Sequence, residues 1–197
     1  MVNQTTVKTL SNVVVRFSGD SGDGMQLAGN IFTNISAGLG NRVSTFPDYP
    51  AEVRAPQGSL SGVSGFQVCV GVDAYTPGDM CDVLIAMNPA ALKQNIRFLK
   101  PGGVCIVDID SFKKSDLDKA QFVTDDPFTE LNIKAQIVEA PVTSMTKAAL
   151  SDSGLDNDDD RVLLPDGNGG MMEMRLSDTD LMAAYAAAVA PEFTASL

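Results

Sequence analysis

Histidine is absent from the 197 residues of this chain. The sequence therefore lacks the commonest general base near neutral pH and the commonest transition-metal ligand of proteins. Any chemistry that the chain performs must depend on carboxylates, arginine, the backbone or a bound cofactor. This absence narrows the classes of enzyme to which the chain could belong.

Basic residues are also scarce. The 14 Lys and Arg residues stand against 25 Asp and Glu residues, which gives a formal net charge of -11 at pH 7. Such a charge repels phosphate backbones and anionic lipid surfaces, so we expect neither nucleic acid nor membrane as a partner. No apolar run approaches the roughly 20 residues that span a bilayer, and the opening MVNQTTVKTLSN does not resemble a signal peptide. We therefore expect a cytoplasmic protein.

Cysteine is limited to three residues, Cys69, Cys81 and Cys105, which lie far apart in strand-like surroundings. Their spacing favours buried, reduced thiols over disulfides or ligands of a metal cluster. The chain is 44% hydrophobic, which suffices to bury one sizeable core. A single α/β-sized main domain is therefore the expectation.

Strand-like and helix-like segments alternate along most of the chain. Short β-branched apolar runs predict strands at residues 13–17, 43–46, 63–72, 83–87, 104–107 and 135–139. Helical spacing of apolar residues predicts helices at residues 25–39, 88–99 and 142–150. Asn88 is the predicted N-cap of the second helix, and Pro89 occupies its first position. The alternation predicts an α/β fold: a three-layer sandwich with a mostly parallel sheet and helices on both faces, Rossmann-like in topology without a nucleotide fingerprint.

Two segments interrupt this pattern. FPDYPAEVRAPQGS, residues 46–59, contains three prolines and a glycine, which exclude regular structure. Residues 151–166 contain six Asp and one basic residue and precede a glycine-rich run, so we expect loop or disorder there. Residues 181–190 are Ala-rich and have high helix propensity. We divide the chain into a main domain, residues 1–150, and a divergent acidic tail with this helix, residues 151–197.

The main chemical feature is the sequence GDSGDG between the first strand and the first helix. It consists of Gly19, Asp20, Ser21, Gly22, Asp23 and Gly24. Glycines at such a junction bring backbone amides and a helix N-terminus within reach of an anion, as in nucleotide sites. However, the glycines are spaced three then two, whereas the dinucleotide fingerprint is spaced two then three. A P-loop would require a lysine that this turn does not have.

Two other interpretations of this glycine turn are open. Gly22-Asp23-Gly24 matches the start of the thiamine diphosphate motif, but the asparagine pair that ends that motif is missing. In the structural interpretation, the glycines let the turn close tightly, and Asp20 or Asp23 caps the helix that starts near Gly24. Two carboxylates beside a diphosphate are unfavourable unless a metal bridges them, so we favour the structural interpretation.

Residues 13–150 closely resemble the gamma domain of 2-oxoacid:ferredoxin oxidoreductases, the pyruvate/ketoisovalerate oxidoreductase family. The resemblance is carried by SGDSGDGMQLAGN with its Ala28-Gly29 pair, by FPDYPAEVRAPQGSLSGVSGFQV with Arg54 and Gly58, by VLIAMNPAALKQNIRFLKPGG and by PVTSMTKAAL. These motifs are similar to the variant of the gamma domain that is fused in front of an alpha subunit in 2-oxoglutarate enzymes. After LSDSGLDN the sequence departs from the family pattern.

The resemblance implies a structural and substrate-access component of an assembly. That assembly would oxidatively decarboxylate a 2-oxoacid, expected to be 2-oxoglutarate, with coenzyme A to an acyl-CoA. The implied partners are an alpha-type pyrimidine domain, a beta subunit, and ferredoxin as electron acceptor. Thiamine diphosphate, Mg and iron-sulfur clusters would lie in partner domains. This chain alone would bind no cofactor and no metal, and would contribute no catalytic residue.

The resemblance also indicates which residues would face the substrate or coenzyme A entrance. Arg54 is expected to contact a carboxylate or coenzyme A, because guanidinium pairs bidentately with such anions; an ion pair with Glu52 is the alternative. Gln57 and Ser59 would donate hydrogen bonds from the same loop. Two other functions stay open: an independent nucleotide-dependent oxidoreductase, and a truncated or orphan binding module.

Overall fold

The structure is a computed structural model that describes residues 10–52, 55–152, 161–165 and 171–175. Its strands are β1 (Asn12–Asp20), β2 (Arg42–Asp48), β3 (Val63–Gly71), β4 (Cys81–Ala86), β5 (Leu99–Asp108), β6 (Gln136–Ala140), β7 (Arg161–Pro165) and β8 (Met171–Arg175). Its helices are α1 (Met25–Gly38), α2 (Pro89–Asn95), α3 (Lys114–Lys119), α4 (Pro127–Glu130) and α5 (Val142–Asp152). The strands and helices predicted for the main domain all occur, with ends shifted by a few residues.

Six strands form one sheet in the order β2-β3-β1-β4-β5-β6. Strands β1, β4, β5 and β6 pair in parallel, whereas β3 lies antiparallel between β2 and β1. Because β3 is reversed relative to both neighbours, the other five strands run in the same direction. The predicted mostly parallel sheet is confirmed.

Helices cover both faces of the sheet. Val14 and Val15 point to opposite faces because successive strand residues alternate. Val15 packs in one buried cluster with Phe32 of α1, and Val14 packs in another with Leu92 of α2. The cluster around Leu117 extends the α2 layer to α3. The predicted three-layer sandwich is therefore present.

The three cysteines are free and buried, as predicted. Burial raises the pKa of the Cys81 thiol to about 11 and that of the Cys105 thiol to about 12. Burial also raises the pKa of Cys69. Because the thiolate is the reactive and ligating form, these cysteines act as core residues.

Two local predictions for the main domain were wrong. Strand β2 continues through Pro47 to Asp48, although the prolines of that segment predicted irregular structure. It lies at the edge of the sheet, where a missing backbone donor is tolerated. The sequence interpretation also missed α3 and α4, whose six and four residues are too few to show helical periodicity.

The acidic tail contains regular structure that the sequence did not predict. Strands β7 and β8 pair antiparallel, with Val162 opposite Met174, and β7 lies in the segment 151–166 that was expected to be loop or disordered. The Ala-rich helix predicted at residues 181–190 lies outside the described residues. No helix in the described ranges is long and apolar enough to cross a membrane.

Candidate functional site

A large cleft lies at the carboxyl edge of the parallel strands. After β1 the chain passes into α1 on one face, and after β4 it passes into α2 on the other face. Such a change of side leaves a crevice beyond the strand ends, where α/β proteins bind ligands. The cleft measures about 550 Å³. Residues that line it include Asp20, Asp23, Gln57, Gly58, Asn88, Asp110, Lys113, Asp116, Lys119, Thr143 and Lys147.

The glycine turn forms one wall of this cleft, but it does not cap α1 as predicted. Gly24 is the N-cap, with a left-handed φ of 66°, and no side chain hydrogen-bonds to the helix N-terminus. Asp23 turns back instead, and its Oδ2 accepts a hydrogen bond from the Asp20 amide at 2.7 Å. The left-handed conformation explains why position 24 requires glycine. The predicted capping role of Asp20 or Asp23 was therefore wrong.

Gly19 and Gly22 play different parts in the turn. A Cβ atom at Gly19 would lie 2.7 Å from Asp23 Oδ2, so the close approach of that carboxylate requires glycine. A Cβ atom at Gly22 would meet nothing within 4 Å. The exposed Ser21 donates its backbone amide to the Gly62 carbonyl at 3.1 Å. The turn is therefore built around the Asp23 carboxylate.

Two neighbouring carboxyl groups in the wall have raised pKa values. Burial is the main cause for Asp23, whose pKa rises to about 6, and repulsion from Asp20 and Asp108 adds to it. Burial also raises the pKa of Asp20, although the Gly58 amide and the Asn88 side chain oppose the rise. Asp20 Oδ1 is buried and has no hydrogen-bond partner among the described residues. Ionisation of Asp20 and Asp23 in this wall therefore costs free energy.

The structure locates the predicted access residues only in part. Gln57 lines the cleft and also a second hollow of about 250 Å³ beside the glycine turn. Ser59 precedes the 3-10 turn Leu60–Gly62, and its Oγ lies 3.5 Å from Ser61 Oγ. Ser59 does not line either cavity. Arg54 lies outside the described residues.

Several cleft residues were missed in the sequence. Lys113, Lys119 and Lys147 line the cleft from the segments that follow β5 and β6. Asp110 Oδ2 accepts the Ser144 amide at 2.7 Å, so a protein carboxylate already occupies the start of α5. The position of these residues just after predicted strands was the signal that could have found them, because the carboxyl ends of parallel strands lie at one edge of the sheet. In the described ranges, no cluster of three or more Cys, Asp and Glu side chains could hold a metal ion.

The fold and the cleft define a Rossmann-like α/β domain with a mixed-charge crevice at the carboxyl edge of its sheet. Comparison with known proteins specifies the family. Residues 14–174 match the family described as pyruvate ferredoxin/flavodoxin oxidoreductase, so the chain belongs to that family. The match covers most of the main domain and reaches into β8.

Two relatives illustrate the relationship. The chain is 48% identical over 152 residues to the 2-oxoglutarate oxidoreductase subunit KorA of Mycobacterium tuberculosis, covering 76% of this chain and 23% of that protein. It is 28% identical over 110 residues to the pyruvate/ketoisovalerate oxidoreductases common subunit gamma of Thermococcus kodakarensis, covering 54% of this chain and 57% of that protein.

A solved structure shows a similar fold. The 2-oxoglutarate:ferredoxin oxidoreductase of Magnetococcus marinus, with 2-oxoglutarate, coenzyme A and succinyl-CoA bound, superposes with a TM-score of 0.53 at 25% identity. The match covers 73% of this chain and 22% of that chain. The present chain thus spans less than a quarter of the length of this protein and of the mycobacterial subunit.

Proposed function

We propose that this chain is the gamma-type component of a 2-oxoacid:ferredoxin oxidoreductase that acts on 2-oxoglutarate. The observation that carries the proposal is the 48% identity with a 2-oxoglutarate oxidoreductase subunit over 152 residues. The similarity of fold to a 2-oxoglutarate:ferredoxin oxidoreductase supports the same conclusion. The assembly would convert 2-oxoglutarate and coenzyme A to succinyl-CoA and pass the electrons to ferredoxin.

Within that assembly, the chain would be a non-catalytic wall of the substrate and coenzyme A entrance. The position of Gln57 on the cleft supports this role, because the loop that carries it borders an open crevice. Arg54, Gln57 and Ser59 stay predicted contacts to substrate or coenzyme A. The carboxylates of Asp20 and Asp23 disfavour a diphosphate in the wall, which argues against an independent nucleotide-dependent oxidoreductase.

The redox and thiamine cofactors would belong to partner chains. Iron-sulfur clusters are held by accessible thiolates, whereas Cys69, Cys81 and Cys105 are buried and have raised pKa values. This supports placing the clusters in partner chains, and thiamine diphosphate and Mg stay predicted for an alpha-type pyrimidine domain and a beta subunit. Ferredoxin would be a partner of the assembly, which we propose to be cytoplasmic.

Co-expression tests the proposal directly. The chain would be produced with candidate alpha and beta subunits, purified through one tag, and assayed for reduction of a viologen dye with 2-oxoglutarate and coenzyme A. We expect co-purification and dye reduction that depend on all three polypeptides. Pyruvate in place of 2-oxoglutarate is the control for substrate class. Failure of the chain to co-purify would refute the proposal, and a higher rate with pyruvate would refute its 2-oxoglutarate part.

A further inference from the structure

The carboxylate of Asp20 joins two segments that are far apart in sequence. It lies at the end of β1 and is only 6% exposed. Its Oδ2 accepts the backbone amide of Gly58 at 2.7 Å. Its own backbone amide donates to Asp23 Oδ2 at 2.7 Å, and its carbonyl accepts from Ser64 Oγ at 3.3 Å. Hydrogen bonds to Asp23 and Ser64 thus fix the backbone of Asp20, while its carboxylate binds the loop that contains Gly58.

The loop that Asp20 holds is the one that carries Gln57. Residues 56–59 form a tight turn in which the Ser59 amide donates to the Pro56 carbonyl at 3.1 Å. Among the hydrogen bonds of the described residues, the one to Asp20 alone ties this turn to the sheet. Further along, Gly62 and Leu60 are anchored separately, by the Ser21 amide and by the Gln94 side chain.

Packing around Gly58 leaves little room for another arrangement. Gly58 has a left-handed φ of 80°, and a Cβ atom there would lie 3.2 Å from the Lys119 side chain. A side chain at this position would therefore be crowded against Lys119 of α3 and would disfavour the backbone conformation. The Asp20 hydrogen bond selects that conformation by satisfying the Gly58 amide.

We infer that Asp20 is a positioning residue, whose carboxylate fixes the 56–59 turn through the Gly58 amide and so sets where Gln57 stands in the cleft. This inference rests on the proposed function, because the position of Gln57 matters only if the loop borders a ligand entrance. The burial of this carboxylate is costly, because burial raises its pKa and its Oδ1 has no hydrogen-bond partner among the described residues. Fixing the loop is the role that its contacts indicate.

Hydrogen-deuterium exchange of the full chain tests the anchoring without any assay of activity. In the wild-type chain, the Gly58 amide is expected to exchange about tenfold more slowly than the Gln57 amide, after correction for intrinsic rates. Asp20→Ala should abolish this protection and leave the amides of Val68 and Leu84 unchanged. Asp20→Asn keeps an acceptor oxygen and should restore most of the protection.

Asp116→Ala is the matched control, because it removes a cleft carboxylate that has no hydrogen bond to the turn. It should leave Gly58 protection at the wild-type level. Equal exchange of Gly58 and Gln57 in the wild-type chain would overturn the inference even if Asp20→Ala fails to fold. Unchanged protection in a folded Asp20→Ala chain would overturn it as well.

Kinetics of the reconstituted assembly test the consequence for ligands. Asp20→Ala is expected to raise the KM for 2-oxoglutarate or coenzyme A about fivefold to tenfold, with kcat within twofold, and Asp20→Asn should reverse most of the change. A KM equal to that of the wild type in an active assembly would overturn the positioning role. An assembly that is inactive with the wild-type chain would instead count against the proposed function, and exchange at Gly58 would still decide whether Asp20 anchors the turn.

Discussion

Two buried polar clusters lie four positions apart on β1, and they differ in how well their groups are satisfied. Arg16 is 3% exposed and donates to Asn95 Oδ1 at 2.7 Å, to Gln67 Oε1 at 3.2 Å and to the Asp48 carboxylate. Its guanidinium also lies 4.4 Å from the centre of the Phe98 ring. At the strand end, Asp20 has a buried oxygen with no partner among the described residues.

Arg16 is a buried polar group that stabilises the fold, whereas the burial of the Asp20 carboxylate costs free energy that the rest of the fold offsets. Arg16 joins β1, β2, β3 and α2, and each of its three guanidinium nitrogens donates one hydrogen bond, so its burial is compensated. The carboxyl groups of Asp20 and Asp23 have raised pKa values because their burial is not fully compensated. Such uncompensated groups cluster at functional sites, which supports locating function at the carboxyl edge.

The largest expected effect on the free energy of unfolding is that of replacing Arg16, whose hydrogen-bond donors have partners. Arg16→Met should lower the free energy of unfolding by about 3 kcal/mol, because it leaves the buried Asn95 and Gln67 acceptors without their donor. Urea denaturation at pH 7 measures this loss. Arg16→Lys is the control, since it keeps the charge but loses the planar fork, and should cost less. A loss below about 1 kcal/mol for Arg16→Met would remove the contrast between the clusters.

A smaller change of opposite sign in the free energy of unfolding is expected for Asp23, one of the two carboxyl groups whose burial is not fully compensated. The folded-state pKa of Asp23 is about 6, above the ordinary 3.8, so folded chains hold its proton more tightly and stability falls as pH rises from about 4 to 6. Asp23→Asn should therefore raise the free energy of unfolding at pH 7 by about 1–2 kcal/mol.

Thermal unfolding between pH 4 and pH 7 measures this effect, because the gain for Asp23→Asn should shrink toward pH 4. The asparagine keeps an oxygen that can accept the Asp20 amide, so the turn should persist. A variant that is less stable than the wild type at pH 7 would show that the Asp23 carboxylate stabilises the turn. The two clusters would then be alike.

The smallest expected effects concern the glycines near the cleft. Gly58→Ala should cost about 1 kcal/mol, because alanine disfavours a φ of 80° and its methyl group would press on Lys119. Gly22→Ala is the matched control and should change stability by less than about 0.5 kcal/mol, since its Cβ would meet open space. Urea midpoints compare the two variants. Equal losses would show that the turn at Gly58 is no tighter than the glycine turn.

Local signals in the sequence predicted the long elements well. Asn88 caps α2 by accepting the Ala91 amide at 2.8 Å, and Pro89 occupies the first turn, as their residue types indicate. The capping role of Asp23 was predicted on the same kind of signal and was wrong. Its carboxylate binds the Asp20 amide instead, which a glycine at position 19 permits. Residue type alone does not decide between two nearby amides.

The cleft was less predictable than the elements around it. Lys113 and Lys147 line the same cleft as Asp20 only because β5 lies beside β4 and β6 lies beside β5, and strand order is not encoded in periodicity. The reversed direction of β3 was also not predicted, and it became visible only from the pairing of β3 with β1 and β2. The alternation of strands and helices predicted the fold class, while the contact between Asp20 and Gly58 became visible only in the structure.

The reversal of β3 has a consequence for where the chain can place a long connection. Val63 at the start of β3 pairs with Asp20 at the end of β1, and Asp48 at the end of β2 pairs with Gly65. The chain therefore leaves the sheet after Asp48 and re-enters it at Val63 on the same rim. Had β3 run the other way, this connection would have had to travel the length of a strand. In the observed arrangement, the connection begins and ends at this rim. Changes in its length can therefore remodel the mouth of the crevice without disturbing the sheet.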